Sequence, residues 1–149
     1  MERTLIILKP DAVQRGLTGE LINRFERRGL KIVAMKLMQV PTELAEAHDG
    51  EHKGRSVYED LVRYITSEPV VVMALEGKGA IAAARQTIGS TRPIEAAPGT
   101  IRGDLALEVG RNLVHGSDGG DSAERELALW FKEEEFAPHT RVTEAWIYQ

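Results

Sequence analysis

There is no cysteine in the 149-residue chain. Disulfides, thiolate zinc sites and a cysteine nucleophile are therefore excluded, and the composition fits a reducing, cytoplasmic setting. Also missing is any uncharged apolar run near the roughly eighteen residues that a membrane helix needs. The start, MERTLIILKPD, has too short an apolar segment and too early a proline for a signal peptide. A soluble protein with no membrane partner is expected. Net positive charge is absent as well: the formal charge is -4, so no global field attracts nucleic acid, and nucleic acid is not an expected partner. Any anion site has to be local. No internal repeat, low-complexity tract or interdomain linker interrupts the chain. With 42% hydrophobic residues it can bury a real core, and residues 1–149 are expected to form a single domain.

Apolar periodicity and breakers divide the chain into alternating elements. TLIILK (4–9) reads as a buried strand stopped by Pro10-Asp11. TGELINRFERRG reads as a helix, with Leu21, Ile22 and Phe25 at helical spacing and Gly29 as its C-terminal cap. LKIVAMKLMQV alternates with period two, a second strand ended by Pro41. PTELAEAH and RSVYEDLVRYITS predict two helices, the second with a stripe of Val57, Leu61, Val62 and Ile65. PVVVMALE is a third strand and KGAIAAARQTIG an alanine-rich helix. Residues 90–104 predict a long loop, NLVHGS a short fourth strand, and DSAERELALWFKEEEF a last helix, with Asp121 and Glu124 at capping-box spacing. The compact solution for this order is a small sheet covered by helices.

Three stretches offer chemistry. Between positions 85 and 102 stand Arg85, Thr91, Arg92, Thr100 and Arg102, with a single acid, Glu95. Guanidinium forks and hydroxyls suit phosphate oxygens, although a basic surface loop needs no ligand. There is no GxxxxGK[ST], so a Walker-type cradle is excluded. His115, between Val114 and Gly116, is open to several roles: core residue, metal ligand, proton-transfer group or nucleophile. Its small neighbours Gly116 and Ser117 leave room at the ring, and Glu126 from the next helix is positioned to hold one ring nitrogen. Finally, His48-Asp49-Gly50-Glu51-His52 matches H-x-x-E-H, a zinc-peptidase spacing that requires both histidines on one helical face. Gly50 inside that helix, and the lack of an evident third ligand, weigh against it.

Taken together, LKPDAVQRGLTGEL, PGTIRGD and GRNLVHGSD resemble nucleoside diphosphate kinases, with the match running from Arg3 to Tyr148. The resemblance implies a ferredoxin-like α/β sandwich of the α+β class, with a four-stranded antiparallel sheet. It also implies ping-pong transfer of the terminal phosphate of a nucleoside triphosphate to a nucleoside diphosphate, through a phosphohistidine on His115 and with broad base tolerance. His115 would attack through Nδ1, oriented by Glu126 and Ser117. Arg85, Thr91 and Arg102 would hold phosphates; Lys9 and Asn112 would hold phosphate and sugar hydroxyls; Val57 and Val109 would flank the base. Magnesium would arrive on the nucleotide phosphates rather than in a protein cage. A homo-oligomer is implied, hexameric in preference to tetrameric, with the Pro93 loop and the C-terminal WIYQ in subunit contacts.

The chain departs from the family pattern where the substrate would lie. Asp49 stands where tyrosine is common and Val57 where a base-stacking phenylalanine is common. Valine keeps apolar contact but loses the stack, and Asp49 adds negative charge near the phosphates. Weakened nucleotide binding with an intact chemical step is expected. The alternatives are a relative that binds nucleotides with little catalysis, and the zinc hydrolase suggested by HDGEH.

Overall fold

The computed structural model describes all 149 residues. In chain order the elements are β1 (Glu2–Leu8), α1 (Pro10–Gln14), α2 (Thr18–Arg28), β2 (Lys31–Met38), α3 (Thr42–His48), α4 (Val57–Ile65), β3 (Val70–Gly77), α5 (Ala80–Ile88), α6 (Ile101–Leu105), β4 (Val114–Gly116), α7 (Gly120–Trp130) and α8 (Glu144–Ile147). The strands form one sheet in the order β2-β3-β1-β4, with every neighbouring pair antiparallel. This is the ferredoxin-like α+β arrangement: α2 carries the chain from β1 to β2, and α5 from β3 to β4.

The continuous apolar run of β1 is explained by a sheet buried on both faces. Ile6 and Leu8 pack with Leu21 and Phe25 of α2 and Ala80, Ala84 and Ile88 of α5. Leu5 and Ile7 face the other way, onto Ala45 of α3, Ile65 of α4 and Trp130 of α7. In the β1–β4 register Ile7 pairs with His115. Paired residues share a face, so the histidine lies on the α3/α7 side of the sheet. Its neighbour Gly116 lies opposite, where a Cβ would come 2.7 Å from Ile88 Cδ1, so a side chain there would require the Ile88 tip to move.

Most predicted elements form, and the exceptions have identifiable causes. Gly29 does cap α2, at φ 108°. Strict alternation fails in β2, where a register shift between Ile32 and Ala34 buries Val33 and Ala34 together. The stripe on α4 docks only at its C-terminal end; Val57 and Leu61 are exposed. Part of the predicted 90–104 loop is the start of α6. Thr100 caps this helix by accepting from Gly103 N–H at 3.0 Å, and a Cβ on Gly103 would collide with the Ala97 carbonyl. No capping box forms at Asp121, because α7 begins one residue earlier with Gly119 as N-cap. The same helix stops at Trp130 rather than Phe136, as Phe131 turns extended to join the core.

Candidate active site

The connection leading into β4 is pinned before it reaches His115. Leu113 is fully buried with φ 74°, a left-handed backbone costing a β-carbon-bearing residue about 1–2 kcal/mol. Asp11 secures it: Oδ2 accepts Leu113 N–H at 3.1 Å, while Oδ1 accepts the Tyr64 hydroxyl at 2.7 Å. The Leu113 carbonyl in turn accepts Lys9 N–H at 2.8 Å. The ends of β1, α4 and β4 are thereby locked together, with Asn112 and His115 projecting on either side of the lock.

His115 Nε2 lies 2.9 Å from Glu126 Oε1. Burial works to raise the Glu126 pKa, but hydrogen bonds from His115 and Ser117 and the His115 charge outweigh it and hold the carboxyl below its ordinary range. An ionised carboxylate only accepts, so Nε2 carries the ring proton and, in the neutral ring, Nδ1 keeps its lone pair. Ser117 makes no hydrogen bond to the ring. Its hydroxyl donates to the same Glu126 oxygen at 2.8 Å and accepts Leu5 N–H at 3.1 Å, so it shares with His115 the carboxylate oxygen that holds the ring.

The ring opens on a cleft of about 270 Å³ whose lining contains no hydrophobic side chain and includes Lys9, Arg85, Thr91, Arg102 and Asn112. Arg102 is only 4% exposed, yet Nε, Nη1 and Nη2 donate to the carbonyls of Asn112, Gly89 and Val114, with no carboxylate partner. Arg85 donates to the Gly116 carbonyl at 3.0 Å, and Lys9 Nζ to Asn112 Oδ1 at 2.9 Å. Asn112 is itself fixed by the Thr91 carbonyl at 3.0 Å. Burial, then the charge of Arg102, lowers the Lys9 pKa to about 8; burial, then Arg85, lowers Arg102 to about 10. Lys9, Arg85 and Arg102 are held by neutral acceptors and so keep their charge available to an anion, in a cleft that Asp49, Glu51, Asp118 and Glu126 also line.

The structure separates the other candidates. Thr100 is spent as a cap. Val57 and Val109 are half exposed and lie outside the cleft lining. Asp49 does line it, and burial raises its pKa against the pull of His52, His115 and Lys9. The zinc spacing is broken: α3 ends at His48, and Gly50–His52 forms a separate 3-10 turn, so the two histidines do not share a helical face. Sequence reasoning offered His48, Glu51 and His52 only as zinc-site residues and missed Asp118; all four line the cleft. For His48 a signal existed: Trp130, which binds it, stands four residues after Glu126, on the same side of α7. A larger groove of about 550 Å³ holds Arg24, Arg27 and Arg28, but Arg24 is paired with Asp104 at 2.7 Å and Arg28 with Gln86 at 2.6 Å.

A histidine with a free lone pair, in one cleft with cations that have no carboxylate partner, suits a phosphotransferase, and comparison with known proteins narrows that class. The family model described as nucleoside diphosphate kinase matches residues 2–136. The chain is 58% identical, over the whole of both sequences, to a nucleoside diphosphate kinase of Staphylococcus aureus (strain MSSA476). Among solved structures it is similar to the halophilic nucleoside diphosphate kinase of Halobacterium salinarum in complex with CDP (46% identity, TM-score 0.97, 99% of each chain covered). It is likewise similar to a nucleoside diphosphate kinase family protein of Babesia bovis (44%, TM-score 0.97, 99% of this chain and 100% of that one). The chain belongs to the nucleoside diphosphate kinase family, enzymes that transfer phosphate from nucleoside triphosphates to nucleoside diphosphates.

Proposed function

We propose that the chain works by a ping-pong route in which His115 Nδ1 attacks the terminal phosphorus of a nucleoside triphosphate. A P–N bond forms as the P–O bond to the nucleoside diphosphate breaks, and that diphosphate leaves with the electron pair. A second nucleoside diphosphate then takes the phosphoryl group back by the reverse step. The carrying observation is the bond from His115 Nε2 to Glu126, which leaves Nδ1 as the nitrogen with a lone pair.

Arg85, Thr91 and Arg102 hold phosphate oxygens, and their charge offsets what develops on the leaving and transferring oxygens. Lys9 and Asn112, already bonded to each other, meet phosphate and the sugar hydroxyls. Val57 and Val109 flank the base from outside the polar cleft, an apolar contact that carries no base code and so supports broad base tolerance. Magnesium would be carried by the nucleotide phosphates and would offset part of their charge; Glu51 and Asp118, hard oxygen donors at the cleft, would meet its water shell. A homo-oligomer is supported by the exposed Ile94 beside Pro93 and Trp146 in the C-terminal segment, and a hexamer in preference to a tetramer rests on the family resemblance alone.

The test is incubation with γ-labelled ATP and magnesium. Acid-labile label on His115 that passes to an added nucleoside diphosphate is the expected result. Phosphate transfer without a labelled enzyme would overturn the ping-pong route.

A further inference from the structure

His48, the last residue of α3, lines the cleft beside His115. Its ring stands edge-on to His115, with centroids 4.8 Å apart at 83°, and to Trp130, at 5.4 Å and 82°. The buried Trp130 indole donates Nε1–H to His48 Nδ1 at 3.0 Å. An indole nitrogen has no acceptor capacity, so His48 Nδ1 is unprotonated and the ring proton sits on Nε2. Burial first, then His115, lowers the His48 pKa to about 3, against the opposing pull of Glu126. The ring is therefore neutral at working pH. It lines the cleft, and no protein group accepts from its Nε2–H.

One turn of α7 thus sets both imidazoles. Glu126 accepts from Nε2 of His115, so that ring offers the cleft a lone pair. Trp130, four residues on, donates to Nδ1 of His48, so that ring offers an N–H. These protonation states disfavour a metal here. Nitrogens of His48 and His115 and an oxygen of Glu126 lie within 4.8 Å of one another. A cation would nevertheless meet a proton at His48 Nε2, or compete with Trp130 at Nδ1.

We infer that His48 is a further catalytic residue, whose Nε2–H donates a hydrogen bond to a non-bridging oxygen of the phosphoryl group as it passes between nucleotide and His115. Trp130 is the positioning residue that fixes the donor. This rests on the phosphohistidine reading above. No proton is transferred and no bond to His48 forms. A neutral donor adds one more hydrogen bond to the transferring group and, unlike a second imidazolium, places no like charge beside His115. Asp49, next in the chain, accepts only when ionised and cannot substitute.

Single-turnover labelling by γ-labelled ATP, followed by discharge to ADP, provides the test in three variants. His48→Phe keeps a ring but no donor and should slow both half-reactions about 100-fold, within the range for loss of one such donor, with ATP affinity changed less than twofold. His48→Gln sets an amide N–H near the Nε2 position and should stay within about tenfold of wild type. Trp130→Phe releases the tautomer and should cost only about two- to threefold, since neither tautomer is then imposed. Equal losses in His48→Phe and His48→Gln, or losses in affinity rather than rate, would show a structural role and overturn the proposal. Nitrogen-15 NMR of histidine-labelled wild type is independent of variant folding. It should show His48 protonated at Nε2, with that resonance shifting on phosphorylation of His115; a proton on Nδ1 overturns the proposal. Wild type that takes no label defeats the phosphohistidine reading itself, whereas His48→Phe labelled at the wild-type rate defeats only the role of His48.

Discussion

Raising the pH should neutralise Lys9 before any other phosphate-binding cation in the cleft. Its pKa is held at about 8 by burial and by Arg102, whereas Arg102 remains near 10. A bound phosphate restores the missing counter-charge and lifts the Lys9 pKa, so nucleotide binding draws on the protonated fraction alone. At pH 9 that fraction is about one in eleven, and affinity should be about tenfold weaker than at pH 7, ~1.4 kcal/mol. Linkage gives a second observable: about 0.9 proton should be taken up per nucleotide at pH 9 and about 0.1 at pH 7. Calorimetry with an adenine nucleotide in buffers of different ionisation enthalpy measures both quantities, and Lys9→Arg, charged throughout, should abolish the uptake. The sign for folding is opposite. The unfolded lysine keeps its proton to about 10.5, so Lys9 makes the unliganded protein more stable as pH rises from about 8 to 10.5. Affinity that stays flat from pH 7 to 9, or binding without proton uptake, would refute the assignment of Lys9 as a desolvated phosphate-binding cation.

Asp49→Asn should lower the KM for nucleoside diphosphates about three- to tenfold by removing ~1 kcal/mol of repulsion at a partly solvated site, with kcat little changed. Because its pKa is raised, the repulsion fades as pH falls through a value above that of an ordinary aspartate, and the variant should lose that pH dependence. Asp11→Ala removes two carboxylate hydrogen bonds from a strained turn and should cost about 2–4 kcal/mol in denaturant unfolding, with a fall in kcat as Asn112 and His115 lose their fixed spacing; full kcat in the destabilised variant would disprove the clamp. Val57→Phe should lower the nucleotide KM about fivefold, from a stack of ~1 kcal/mol on a partly exposed base, without raising kcat. An unchanged KM would show that position 57 does not meet the base.

Much of the molecule follows from local signals. The apolar run of β1, the helical spacing and Gly29 cap of α2, and the breakers around β3 specify those elements because each depends on residues a few positions apart. The motifs around Lys9, Arg102 and His115 were legible as chemistry for the same reason, and the Glu126 contact with His115 spans only 11 positions. Tertiary packing decided the rest. The bulge in β2, the early end of α7 at Trp130 and the start of α6 inside a predicted loop all serve contacts that propensity does not encode. Lys9 finds Asn112 across 103 positions, Tyr64 finds Asp11 across 53, and Trp130 finds His48 across 82. Residue order determined which groups could donate, accept or carry charge. Only the folded sheet and its helices buried them, and burial lowered the pKa of a lysine, gave two histidines fixed and complementary faces, and left three cations without a carboxylate partner.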